Sequence, residues 1–113
     1  MNSLKNHVQL IGRLGNNPEI KIFDSGKKKA TFSLATNDRY KDADGNSIED
    51  THWHNIVVWG KKVDVIEKYL SKGSEVALSG KLINRNYEID GRKKYVTEIN
   101  VKELLMMGNK QSG

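Results

Sequence analysis

No cysteine occurs in the 113 residues, which excludes disulfides, thiolate metal sites and cysteine nucleophiles and is compatible with a reducing compartment, the cytoplasm by default. Long hydrophobic runs are also missing. The first twenty residues already hold Lys5, Arg13 and Glu19, so they encode neither a secretory signal nor a membrane span, and a soluble, cytoplasmic chain is expected. Proline is nearly absent, with Pro18 alone, and no internal repeat or low-complexity tract breaks the chain. A length of 113 residues supports one hydrophobic core. We therefore expect one domain over residues 1–107, followed by a short, flexible end over 108–113.

The usual signatures of catalysis are missing too. The glycines spell neither a Walker loop nor a dinucleotide-binding loop. No serine sits on a strand-to-helix elbow, and no paired carboxylates lie in an apolar setting that would separate their pKa values. His52 and His54 have a spacing that could supply two ligands to zinc or copper, but no cysteine or carboxylate of matching parity completes the set. They are read as structural, and no metal, cofactor or enzymatic activity is expected.

What is abundant is basic charge: 19 Lys and Arg against 14 Asp and Glu leave a formal charge of +5. Such a balance suits an anionic partner without identifying one.

Along the chain, Val8 to Leu14 reads as a strand in which Gly12 marks a bulge or bend, closed by Gly15-Asn16-Asn17-Pro18. Glu19 to Phe23 and Ala30 to Thr36 form a hairpin, Asn37 to Asp50 a polar segment, and His52 to Trp59 another strand. Only Lys61 to Leu70 carries a helical stripe, in Val63, Ile66, Tyr69 and Leu70, and Lys72-Gly73 stops it. Val76 to Leu82 and Tyr95 to Met107 are the last strands, with Asp90-Gly91 as a two-residue hairpin turn. The expected fold is all-β with one helix: the OB-fold, a five-stranded Greek-key barrel with the helix between strands 3 and 4.

Period-two alternation puts Trp53, Asn55, Val57 and Trp59 on one face of a strand and His52, His54, Ile56 and Val58 on the other. Both faces are apolar or aromatic, so one of them needs an explanation beyond the core. Periodicity by itself tips slightly towards tryptophans in the core and histidines in solvent. Binding is the other reading. Lys81, Ile83, Arg85 and Tyr87 share one parity, interleaving cations with an aromatic, and Tyr40 precedes the acidic stretch Asp42 to Asp50. A surface of that kind stacks bases and holds phosphates with little sequence preference. Lys27-Lys28-Lys29 and Arg92-Lys93-Lys94 stand at the two hairpin tips, where they could attract phosphate.

The run Asn6-His7-Val8-Gln9-Leu10-Ile11-Gly12-Arg13-Leu14-Gly15, then Pro18-Glu19, Phe32-Ser33-Leu34-Ala35-Thr36 and Trp53-His54-Asn55-Ile56-Val57-Val58-Trp59-Gly60-Lys61, resembles the bacterial single-stranded DNA-binding protein family. Tyr69-Leu70-Ser71-Lys72-Gly73-Ser74 and Gly80-Lys81-Leu82 continue the resemblance, which spans roughly Leu4 to Met107. It implies an OB-fold assembled as a homotetramer that binds and protects single-stranded DNA in replication, recombination and repair. By position it assigns base stacking to Tyr40, Trp53, Trp59 and Tyr87 and phosphate contacts to Lys61, Lys72 and Arg85, to which the shared parity adds Lys81. It puts His54 at a subunit contact and pairs the segment of Leu4, Asn6 and Val8 with its equivalent in another subunit. Tyrosines 40 and 87 stand where well-known members carry tryptophan, so each contact there is expected to be weaker. The long polar tail with an acidic tip that recruits other proteins in this family has no counterpart here, and recruitment through such a tip is not expected. Two other classes stay open at this stage: an OB-fold protein-interaction or primosome-like assembly module with weak DNA binding, and an OB-fold nuclease, for which no carboxylate set is found. RNA is a further possible ligand, since nothing in the residues senses a 2′-hydroxyl.

Overall fold

The computed structural model describes residues 3–107. A 3-10 turn, Ser3–Asn6, leads into β1 (Val8–Leu14), β2 (Glu19–Ile22), β3 (Lys28–Lys41), β4 (Ser47–Trp59), helix α1 (Lys62–Tyr69), β5 (Glu75–Ile89) and β6 (Arg92–Met107). The sheet runs β1-β5-β6-β4-β3-β2, and β1 also pairs with β3 through Arg13 opposite Ala35 and Leu14 opposite Leu34. That second pairing closes β1, β3, β4, β6 and β5 into a five-stranded barrel, with β2 as a short outer strand on β3. All ladders are antiparallel except β4 with β6. The helix lies between the third and fourth barrel strands, so the architecture is the expected OB-fold.

Alternation decides which side chains fill the barrel. Ala30, Phe32 and Leu34 of β3 face Ile56 and Val58 of β4 in register, and Val76, Leu78, Ile99 and Val101 complete the walls. Val63 and Ile66 of α1, with Leu70 just after it, join this core, the helix packing on β3 and β4. Burying each such aliphatic side chain contributes about 1.5–3 kcal/mol, so this one face supplies most of the driving force and leaves the outward face free for other work. Helix α1 starts from a turn at Gly60 (φ 89°), and Lys28 ties it to β3 through a 2.7 Å bond to Asp64. That carboxylate holds the Lys28 ammonium above its ordinary pKa. After the helix, Gly73 (φ 93°) turns the chain back so that its N–H donates to the carbonyl of Leu14 at 2.8 Å.

Three features differ from the sequence reading. The polar segment from Asn37 to Asp50 is not a loop: β3 and β4 run on as a paired ribbon, with Tyr40 opposite Ile48, to a turn in which the Asp42 carboxylate accepts from the N–H groups of Asp44 and Asn46. Outside the barrel both faces of a ribbon meet water, so its pairing leaves no alternating apolar signal. Strands β5 and β6 are likewise longer, forming a second arm closed by Asp90 (φ 53°) and Gly91 (φ 78°). Two positive φ angles in a two-residue loop match the twist of the strands it joins, as expected. Finally, Gly12 marks no bulge. It pairs regularly with Val76, and the register shift falls at Ser79/Gly80. The expected end, residues 108–113, lies outside the described residues.

Candidate nucleic-acid interface

The register settles which face of β4 is inside. Ile56 and Val58 are fully buried against β3, while Trp53 is 61% exposed and Trp59 42% exposed on the outer face. The tryptophans are therefore displayed, against the slight preference of periodicity. The reason is cross-strand: His54 and Ile56 lie opposite Leu34 and Phe32, so one parity of both strands is committed to the core together.

Between the two indoles, Asn55 and the buried Val57 form the floor of a groove of about 380 Å³ that Thr31, Ser33, Val96 and Glu98 also line. Trp53 lies over Gly15, and the loop carrying that glycine is held by Asn16, whose Oδ1 accepts from the N–H (2.9 Å) and the hydroxyl (2.8 Å) of Ser33. Trp59 ends β4 and stacks on Phe23, with ring centroids 5.7 Å apart and planes 29° from parallel. Lys29, directly opposite Trp59 in register, places its Nζ 5.5 Å from the indole centroid.

On the β5–β6 arm, Arg85 and Tyr87 share the parity of this outer face. Arg85 Nη1 lies 3.5 Å from Glu98 Oε1, so its charge is partly neutralised by a carboxylate at the groove. Lys94 sits opposite Tyr87, which is exposed. Lys61 and Lys72 are exposed at the two ends of α1, Lys61 two residues from Trp59 and Lys72 with its N–H donating to Asn17 Oδ1 at 2.8 Å. Trp53, Trp59, Arg85 and Tyr87 thus share one face, with Lys61 and Lys72 at its border.

Tyr40 stands apart. Tyr40 has the parity of Phe32 and Leu34, which puts it on the other face of the β3–β4 ribbon from Trp53. Lys81 keeps the parity of the outer face: it pairs with Asn100, which lies beside Val57 of the groove floor, and it also borders a depression with Lys5, His7 and Lys102. The triple lysine at 27–29 also divides: Lys28 is taken by Asp64, Lys29 contacts Trp59, and Lys27 stands beside Trp59 and Gly60. Phe23, Gly15 and Glu98 were not anticipated. Phe23 had a signal, an aromatic at the end of a run whose basic neighbours follow, but its partner Trp59 is 36 residues away and only the β2–β3–β4 register joins them.

Of the residues assigned to a subunit contact, His54 is half-buried, with Nε2 3.0 Å from the Thr36 hydroxyl, and burial, then the charge of His52, holds its pKa below the ordinary imidazole value. Asn6 makes a reciprocal pair with the backbone of Leu82, donating to its carbonyl (3.1 Å) and accepting from its N–H (2.9 Å). Val8 packs against the core, and Leu4 falls in the 3-10 turn. Among the described residues no cluster of three or more His, Asp or Glu side chains could hold a metal ion, and no helix is long and apolar enough to cross a membrane.

A closed OB barrel with outward indoles, a groove between them and cations at its border defines a class: a domain built to hold unpaired nucleic-acid bases. Residues 5–107 match the single-strand binding protein family, and the chain belongs to it. It is 46% identical over 110 residues to single-stranded DNA-binding protein 1 of Chlorobaculum tepidum, covering 96% of this chain and 68% of that one. Identity to the protein of the same name from Xylella fastidiosa is 43%, over 94% of this chain and 79% of the relative. Among solved structures, the Plasmodium falciparum SSB complex with ssDNA superimposes with a TM-score of 0.84 at 41% identity, covering 91% of this chain and 95% of that one.

Proposed function

We propose that this protein binds single-stranded DNA without sequence preference, by stacking bases on Trp53, Trp59 and Tyr87 and by holding phosphates with Lys61, Lys72 and Arg85. It acts by binding, in the cytoplasm, to protect strands exposed during replication, recombination and repair. The observation that carries this reading is the display of both tryptophans on the face opposite the core, beside a groove. Stacking is worth about 1–3 kcal/mol per base and works for every base, which is why no sequence preference follows. Lys81 adds a cation on the same face, one strand beyond Asn100 from the groove floor, and Tyr40 contributes on a separate surface as a strand continues past the groove onto the β3–β4 ribbon.

The protein works as a homo-oligomer, a tetramer. Supporting this, the β1 edge from Val8 to Gly12 has no partner on its β3 side among the described residues, and an unpaired edge is a template for another strand. Beside it Ile11, Ala77 and Leu105 form a cross-strand row in which Ile11 and Leu105 are exposed. Leu4 and Asn6 lie in the 3-10 turn that leads into this edge, Val8 begins it, and His54 of β4 completes the set of residues in the proposed contact.

Titration of tryptophan fluorescence with a thymine oligonucleotide at several salt concentrations tests the binding reading. Strong quenching with affinity falling steeply as salt rises supports it, because phosphate contacts release counterions. Absence of quenching and of binding at low salt, from folded protein, overturns it. Sedimentation at micromolar concentration tests the assembly.

A further inference from the structure

Phe23 lies outside the hydrophobic core. It follows β2, the short outer strand, next to Ile22, which is 65% exposed, so this end of the sheet does not stabilise the barrel by burial. Its ring is instead placed against Trp59. The two rings carry a cation each: Lys21 Nζ is 4.9 Å from the Phe23 centroid and Lys29 Nζ 5.5 Å from that of Trp59. In register, Lys21 and Lys29 stand directly opposite one another on β2 and β3. Like charges at opposed positions of an antiparallel pair repel. The aromatic faces relieve part of that repulsion, and a phosphate between or beside the two ammonium groups relieves the rest. The arrangement is that of an aromatic pair flanked by two cations that gain from an anion.

We infer that Phe23 is a positioning residue of the single-strand interface: it holds the Trp59 indole as one ring of a two-ring platform, and Lys21 and Lys29 take phosphates flanking the base that stacks there. Trp59 is the last residue of its strand and is followed by a glycine turn at Gly60, and Phe23 is the ring that stands against its indole, with Lys29 and Lys27 beside it. Stacking on Phe23 orders the indole before DNA arrives, and the entropy of ordering it is then not lost on binding. This rests on the single-strand reading above and adds to it one base subsite and two cations.

The test uses the full chain carrying Trp53→Phe, in which Trp59 is the sole tryptophan. A dye-labelled thymine oligonucleotide reports binding by anisotropy, while Trp59 fluorescence reports stacking at the platform. Adding Phe23→Leu is expected to weaken binding roughly threefold to tenfold, the worth of an aromatic pair, to reduce Trp59 quenching and to leave the salt slope unchanged. Phe23→Tyr, which keeps the ring, is expected to restore both. Lys21→Ala with Lys29→Ala is expected to lower the slope of log K against log salt by about 1.4, two phosphates at about 0.7 each. If Phe23→Leu lowers the unfolding midpoint, Phe23→Met, unbranched and better able to fill the gap, takes its place. Binding and Trp59 quenching equal to the parent in these variants would overturn the inference. A parent that binds the labelled strand without Trp59 quenching would overturn it too, leaving single-strand binding in place but removing Trp59 from the stacking residues. A parent that fails to bind the labelled strand, when the unsubstituted protein also fails, removes the reading on which the platform rests.

Discussion

The benzo ring of the Trp53 indole occupies the space above Gly15 that any side chain there would need. The Ser33 hydroxyl, bonded to Asn16, is a second obstacle there; both are side chains rather than backbone, so the indole can swing and the hydroxyl can give up its bond. Gly15→Ala is therefore expected to cost about 0.5–1.5 kcal/mol of stability, the worth of that hydrogen bond, to shift the Trp53 emission and to weaken oligonucleotide binding by up to about tenfold, within the worth of one stacked base. Parallel titration of the two proteins checks this, and equal affinity would remove Trp53's orientation from the account of binding.

Gly12 is the opposite case. A Cβ at this position would run into the carbonyl of Ala35, where β1 crosses β3 to close the barrel, and backbone cannot swing aside. Gly12→Ala is expected to destabilise the fold by about 1–3 kcal/mol, as overpacking does. Chemical denaturation measures it, and a loss below a few tenths would show that the closure is not tight.

Glu98 stands in the groove and pairs with Arg85 at 3.5 Å. Only the arginine of this pair is well exposed, the glutamate being largely covered at the groove, and its carboxylate repels the phosphate that Arg85 would bind. Glu98→Gln is expected to raise affinity about fivefold at low salt, from a Coulomb energy of about 1 kcal/mol at 4 Å in water, with the gain shrinking as salt screens it. Unchanged affinity at every salt concentration would place the phosphates elsewhere.

His54 links stability to pH. Its folded pKa is depressed by burial first and by the charge of His52 second, so below about pH 6.5 the unfolded chain takes up a proton that the folded chain resists. Stability is full above that pH and falls as pH drops from there through the folded value. Denaturation midpoints are expected to be flat near pH 8 and to decline towards pH 5, and His54→Asn to flatten the decline. The same decline in that variant would assign it to other groups.

Much of the barrel was legible in the residues because it rests on local chemistry: alternation in β1 and β3, one helical stripe, and the Asp90-Gly91 turn, which needs two positive φ angles. The long arms were not, because a ribbon wet on both faces pairs through backbone hydrogen bonds and leaves no apolar period in Asn37 to Asp50. Composition and motif also pointed to the aromatic and basic residues themselves.

Which of them meet was decided only by the tertiary structure. Periodicity put Trp53 and Trp59 on one face without saying whether it was the inside, since both faces of β4 are apolar. Cross-strand register resolved this by placing His54 and Ile56 opposite Leu34 and Phe32. The same register brought Phe23 to Trp59 and Lys21 to Lys29, turned Tyr40 to the other side of its ribbon, and carried Arg85 to Glu98. Side-chain identity and parity are properties of one strand, whereas a binding face belongs to several strands together, and its composition exists only once they are paired.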